Sequence, residues 1–351
     1  MVNGVFMQRV FVIGYPGDVG GANTECWHTV RLWRRFGLPV TLIPTWRPQP
    51  AWQRRLEAIG CETIPSTPDA LDRVPGLAGS TVVSFCNANF LLAAPRFRAL
   101  RCPVVWVNCM TWLFRLEREH YRTHGPFEAF VFQSRHQEQC LMPELSDLGV
   151  AAERCHLIRG AFDVSAFPFN PRRHRAGEPL VVGRLSRAAR DKYSSNTWPI
   201  LRRIPYPVRA RLMAWSAEVE AKLGRPPEWA QCLPAGAETP QQFLSRLHCM
   251  LQINGGAGEN WPRSGLEAMA GGVPIVVPNR WGWREMLRHG ETGFLCDGDE
   301  DLAYWPAHLA RHEDQRMAVA AAARRAVELF ADPPTLWKRW QGVFGSVKSE
   351  V

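Results

Sequence analysis

Glu259 and Glu267 stand eight positions apart in Glu-Asn-Trp-Pro-Arg-Ser-Gly-Leu-Glu, and their placement about a helix start could do chemistry. The apolar run Cys249–Ile253 reads as a buried strand, 254–258 as a loop, and Pro262–Ala270 as a helix ended by Gly271 and Gly272. Glu259 then belongs to the loop, and Glu267 lies about one turn inside the helix. Between them the N–H groups of Arg263, Ser264 and Gly265 are expected to be open at the positive end of the helix dipole, where a phosphate is stabilised. A diphosphate flanked by two acids, each able to hold sugar hydroxyls, is a nucleotide sugar.

Gly183-Arg184-Leu185-Ser186 closes a strand pattern that starts at Leu180, and Lys192 follows as a candidate cation, with Arg187 and Arg190 as rivals. Gly14 to Gly21 joins the first strand pattern to the first helix pattern, and Gly20 and Gly21 would let the backbone approach a diphosphate or a sugar. A dinucleotide cofactor is not expected there: Gly-x-Gly-x-x-Gly is absent, and the second strand ends Leu42-Ile43-Pro44-Thr45-Trp46 with no acid for an adenosine ribose. Asp297-Gly298-Asp299 has the spacing of a metal-binding pair. Asp299, however, stands where a helix N-cap belongs, with Glu300 and Asp301 in the first turn. No other carboxylate or histidine cluster has ligand spacing, so neither a metal nor a cofactor is expected.

The elements that must position these residues alternate between strand and helix, which argues for parallel sheets covered by helices. Strands are expected at Arg9–Ile13, Val40–Pro44, Thr81–Phe85, Val104–Asn108, Ala129–Phe132 and Arg154–Arg159, with helices at Ala22–Phe36, Trp52–Ile59 and from Arg135. A second series starts at Leu180 and continues through Arg209–Ala214, Met250–Ile253, Ile275–Val277 and Phe294–Leu295, ending in a helical, alanine-rich tail over Asp314–Val347. Residues 166–179 are rich in proline and arginine and read as a linker. The expected division is a first domain over 1–165, the linker, a second domain over 180–332, and a last helix over 333–351.

At 351 residues the chain fits two ordinary domains, and 46% hydrophobic with 21% charged residues describes a globular protein with no apolar run long enough to span a bilayer. Ten cysteines are scattered without a Cys-x-x-Cys pair and read as reduced packing residues. Met1–Pro16 lacks the long apolar core and cleavage site of a signal peptide, so the expected location is cytoplasmic. The net charge of +9 sits largely in helices, as at Arg31, Arg34, Arg35, Arg54 and Arg55; solvated helix faces account for it, with peripheral contact to anionic lipid or an acidic acceptor as the alternative.

The segment from Glu259 to Glu267, with the following Ala-Met-Ala-Gly-Gly-Val-Pro, Trp281-Gly282-Trp283-Arg284-Glu285 and Glu291-Thr292-Gly293-Phe294-Leu295, resembles the Glu-x7-Glu signature of retaining glycosyltransferases with the GT-B fold. The likeness is to the family 4 group, the glycosyl transferases group 1. It departs after the first glutamate, where Asn260-Trp261-Pro262 replaces the usual Gly-Phe-Gly, and Tyr193 rather than glycine follows Lys192. The resemblance implies two Rossmann-like domains facing across a cleft, with a C-terminal helix crossing back to the first. It implies a nucleotide-sugar donor, Arg184 and Lys192 offsetting charge on the leaving diphosphate, Glu259 on the donor sugar, Glu267 on the ribose, and backbone groups of Arg263, Ser264 and Gly265 on the phosphates. The acceptor would be a glycan, a lipid-linked sugar or a small molecule, with no nucleic acid involved. A GT-B isomerase or phosphorylase, or a non-catalytic nucleotide-sugar binding protein, would share the phosphate-binding architecture.

Overall fold

Short runs rich in valine, isoleucine and phenylalanine, apolar at every position, belong in a parallel sheet covered on both faces. In the computed structural model, which describes residues 9–17 and 20–347, they form two such sheets. The loop proposed from Gly14 to Gly21 therefore has Asp18 and Val19 outside the described residues, as are residues 1–8 of the N-terminal run. The chain divides into two α/β units, one running through Phe162 and resuming at Asp332, the other Asp163–Ala331.

The first unit runs β1 (Val10–Ile13), α1 (Gly21–Arg35), β2 (Val40–Ile43), α2 (Pro50–Ala58), β3 (Glu62–Thr63), β4 (Val82–Phe85), α3 (Ala88–Ala99), β5 (Val104–Val107), α4 (Arg115–His124), β6 (Ala129–Phe132), α5 (Arg135–Asp147) and β7 (Cys155–Leu157). Its strands are all parallel in the order β3-β2-β1-β4-β5-β6-β7. Strand order reverses between β1 and β4, which opens a crevice at their carboxyl ends.

The second unit runs β8 (Leu180–Leu185), α6 (Thr197–Arg203), β9 (Val208–Met213), α7 (Ala217–Leu223), β10 (Ala230–Leu233), α8 (Pro240–Leu244), β11 (Cys249–Leu251), α9 (Arg263–Gly271), β12 (Ile275–Pro278), α10 (Trp283–Met286), β13 (Phe294–Cys296), α11 (Asp299–Arg311) and α12 (Glu313–Phe330). The parallel order is β10-β9-β8-β11-β12-β13, so the reversal falls between β8 and β11. Residues 166–179, read from sequence as a linker, lie within this unit: Phe167 is buried, its carbonyl accepts from Arg324 Nη1 at 2.7 Å, and the Asn170 amide donates to Gly271 O at 3.3 Å.

The tail is two helices, the last of them opening at Pro333 as expected. Asp332 caps α13 (Pro333–Ser346) by accepting from the Thr335 amide at 2.9 Å, and the prolines behind it cannot continue α12. α13 belongs to the first unit, where Trp340 and Phe344 meet Trp33 edge-on at 4.8 and 5.4 Å and Trp337 stacks on Phe36 at 5.5 Å. All ten cysteines are free, but Cys140 is exposed and Cys86, Cys109, Cys155 and Cys232 are half-buried, so the packing role expected for every thiol holds only for the remainder. Among the described residues no helix is long and apolar enough to cross a membrane.

Candidate functional site

The carboxyl ends of β8 and β11 are where an open α/β sheet collects a ligand, and Arg184 stands at the end of β8. It is 3% exposed. Its guanidinium lies over the Tyr193 ring at 4.7 Å and donates from Nη2 to Asn254 Oδ1 at 3.0 Å, while Nε and Nη1 are buried with no hydrogen-bond partner. Burial pulls its pKa down to about 10, so it remains cationic at neutral pH. A buried cation with two unsatisfied donors is costly unless an anion completes it.

Tyr193, the departure after Lys192, has a structural reason. Its fully buried ring supports Arg184 and its hydroxyl donates to Met213 O at 2.5 Å; burial pushes the phenol up to about 12. Lys192 reaches Glu259 instead of open solvent, Nζ donating to Oε1 at 2.9 Å, with both side chains 16% exposed. Asn254 Nδ2 donates to the same oxygen at 2.6 Å. The rival cations are elsewhere: Arg187 is exposed and pairs with Asp191, and Arg190 is exposed.

Two close approaches hold this arrangement. A Cβ on Gly255 would lie 2.0 Å from Tyr193 O, and one on Gly282 would lie 1.6 Å from Asn260 O. Gly255 thus lets the loop after β11 lie against the Lys192 turn. Gly282 brings the loop after β12 onto Glu259, whose carbonyl accepts the Gly282 amide at 2.9 Å. Trp281 takes the strained φ of 58° that this approach demands, with Arg280 over its ring at 4.0 Å.

α9 starts at Arg263 behind Pro262. The Gly265 amide, expected to face a phosphate, donates to Pro262 O at 3.0 Å, because the first turn closes early. Its lack of a side chain is explained by packing: a Cβ there would lie 2.7 Å from the Trp283 ring and 2.6 Å from Met286 Sδ. At the helix start the Ser264 amide has no acceptor within the helix. Ser264 Oγ accepts from Gln252 Nε2 at 3.0 Å. Glu267 is half-buried as a residue, but its carboxyl is enclosed; burial pushes it up to about 7, opposed by Arg263.

Arg184, Lys192 and Glu259 are thus brought into one hydrogen-bonded chain through Asn254, with Ser264 and Glu267 on the adjoining helix. Gly20 and Gly21 belong to the first unit, at the start of α1; Gly20 has φ 97°, and the space where each would carry a Cβ is open. Asn254, Gln252 and Tyr193 carry the network and were not singled out by motif. The signal available was a polar residue directly after a buried strand.

Asp297 and Asp299 do not face a common point: Asp297 accepts from Asn279 at 2.8 Å, Asp299 from Asn196 at 3.1 Å, and the N-cap of α11 is Gly298 rather than Asp299. A group of three potential ligands that sequence spacing did not reveal, His174, Glu178 and His248, gathers at the amino end of β8 and β11. The Val181 amide donates to His248 Nδ1 at 2.9 Å, which places the proton of the neutral ring on Nε2. His248 therefore has no lone pair left for an ion, although Nε2 and Glu178 Oε1 lie 2.8 Å apart.

Residues 237–325 match the family described as Glycosyl transferases group 1, a stretch that contains Glu259, Glu267 and the whole of α9. Over that stretch the chain is similar to the group 1 glycosyltransferases. A GDP-mannose-dependent alpha-mannosyltransferase of Mycolicibacterium smegmatis is 27% identical over 177 residues, covering 45% of this chain and 47% of the relative. The chain thus aligns with about half the length of the curated relative it matches. Among solved structures, Anabaena HepE in complex with UDP-glucose superposes with a TM-score of 0.74 at 18% identity, covering 98% of this chain and 100% of that one. A sucrose-phosphate synthase from Thermosynechococcus elongatus gives 0.70 at 14% identity over 96% and 99%. These likenesses cover both units and show the GT-B fold.

Proposed function

We propose that this chain is a retaining glycosyltransferase that moves a sugar from a nucleotide-diphosphate sugar to an acceptor hydroxyl without a metal ion or other cofactor. The observation that carries the reading is Arg184, a buried cation with two unsatisfied nitrogens at the strand-order reversal of the second unit, joined through Asn254 to Glu259. The diphosphate would complete the guanidinium and take the Ser264 amide at the start of α9. Glu259 would hold donor-sugar hydroxyls, and Glu267 the ribose. Gly20 and Gly21 would give backbone access to the donor from the first unit.

In the step itself the bond from the anomeric carbon to the β-phosphate oxygen breaks as the acceptor oxygen bonds to that carbon on the same face. The acceptor proton passes to the departing phosphate oxygen. Arg184 and the helix start stabilise the charge that develops, the duty a divalent ion performs in other enzymes. Lys192 enters this account through Glu259, with which it pairs. The acceptor is a glycan, a lipid-linked sugar or a small molecule, met on the first unit, and the chain works in the cytoplasm with at most peripheral membrane contact. The GDP-mannose dependence of the mannosyltransferase and the UDP-glucose bound by HepE support a nucleotide-sugar donor.

A melting screen of nucleotide sugars tests the donor: saturation at about one hundred times the dissociation constant adds roughly 2.7 kcal/mol. NMR of the product's anomeric proton reads the stereochemistry. An inverted product, or activity lost to a chelator and restored by metal, would overturn the mechanism.

A further inference from the structure

Asn254 belongs to none of the sequence motifs, yet its carboxamide is shared between the two opposite charges of the site. It is 7% exposed. Oδ1 accepts from Arg184 Nη2 at 3.0 Å, and Nδ2 donates to Glu259 Oε1 at 2.6 Å and to Ala257 O at 3.0 Å. The amide orientation is dictated by these partners, since the reverse would set its NH2 against the guanidinium and its oxygen against the carboxylate.

We propose that Asn254 is a positioning residue that fixes the separation between the diphosphate-binding cation and the sugar-holding carboxylate, and so sets the preference for a nucleotide sugar over the bare nucleotide diphosphate. The inference rests on the nucleotide-sugar reading above. On the cation side, Asn254 and the Tyr193 ring use one edge and one face of Arg184 and leave Nε and Nη1 for the ligand. On the anion side, Asn254 and Lys192 both occupy Oε1 of Glu259, so Oε2, which accepts no hydrogen bond among the described residues, is aimed by subtraction at the sugar. Only a neutral group with a donor and an acceptor can bond both partners without adding charge. An aspartate would pair with Arg184, cancel the charge the diphosphate needs, and place a second carboxylate beside Glu259.

Two variants test this, with UDP, GDP, UDP-glucose and GDP-mannose as probes in calorimetry. Asn254→Ala should weaken the nucleotide sugar roughly tenfold more than the bare nucleotide, the worth of one hydrogen bond to a charged group. Asn254→Asp, which sets a carboxylate against Arg184, should weaken bare and sugar-bearing nucleotides alike. Equal losses for sugar-bearing and bare nucleotides in Asn254→Ala, or an untouched bare-nucleotide affinity in Asn254→Asp, would overturn the proposal. A wild-type protein that binds none of the four probes would instead sink the nucleotide-sugar reading on which the proposal rests.

Discussion

Two sheets of the same construction present unlike rims. At the carboxyl ends of the second sheet the side chains are charged, and Arg184, Lys192 and Glu259 are linked with Asn254 between opposite signs, Glu267 lying on the adjoining helix. At the carboxyl ends of the first sheet they are amides. Asn87 bonds Thr45 at 2.8 Å and caps α3, Asn108 bonds Trp112 O at 3.2 Å, and Gln137 bonds Met110 O at 2.7 Å, with Trp46 and Trp112 exposed nearby in the chain. The buried acid of this rim, Glu25, is held by Thr29 and the Ala161 amide, and a Cβ on Gly160 would lie 2.2 Å from its Oε2. Topology supplied a crevice in both sheets and decided the chemistry of neither.

The largest expected break in this contrast is Arg184→Ala. Losing a donor aimed at developing charge typically lowers turnover by about two to three powers of ten, and steady-state kinetics should show kcat falling far more than KM rises. Trp46→Ala on the amide rim should leave nucleotide affinity unchanged by calorimetry; a loss matching that of Arg184→Ala would erase the distinction between the rims.

Glu267→Ala comes next, weakening nucleotide by about 1.5–3 kcal/mol, the range for hydrogen bonds to a charged group. Its pH dependence sharpens the test. With the folded carboxyl near 7 against the ordinary 4.5, the native state holds an extra proton between those values, so Glu267 lowers stability as pH rises through them and its penalty is complete above 7. Its grip on ribose, which needs the carboxylate, runs the other way and fades as pH falls below 7. Glu267→Gln should therefore melt higher than wild type only on the alkaline side, while its nucleotide affinity loses the pH slope that wild type shows. Parallel melting curves at every pH would remove the buried-carboxyl account.

The smallest effect is expected at the membrane. Arg31 lies over Trp27 at 5.5 Å and Arg55 over Trp52 at 4.6 Å, giving the α1–α2 face a basic, aromatic character, although Arg34 is occupied by the carbonyls of Ile59 and Leu38. Flotation with anionic liposomes should show weak binding that salt abolishes. Binding indifferent to lipid charge would leave the solvated-face explanation.

The sequence made the strands of the second sheet other than β10 legible because buried parallel strands are apolar at every position, and it set Glu259 and Glu267 about one helix start because that spacing is local. It left α3 and the interior of α5 unread, since Pro95 and Pro143 sit within those helices and interrupt the pattern that reveals a helix. The half-buried edge strand β10 gave no apolar run to see. The Gly265 amide was misjudged because the early-closing first turn bonds it to Pro262 O, and the glycine itself is explained by packing against Trp283 and Met286, far along the chain. Asn254 stayed invisible for a related reason: its partners are 70 residues upstream and 5 downstream, and only the folded β8–β11 pairing brings them together.

The Asp191 carbonyl accepts the amides of both Gly255 and Ala257, at 2.9 and 3.0 Å, and Lys222 Nζ reaches the carbonyls of Arg190 at 2.8 Å and Gly255 at 3.2 Å. The turn bearing Lys192 and the loop bearing Asn254 are thereby fastened together before any ligand arrives. Their disorder is given up during folding, so a donor meeting this part of the site need not wait for these loops to settle, and its capture here should be governed by encounter and charge.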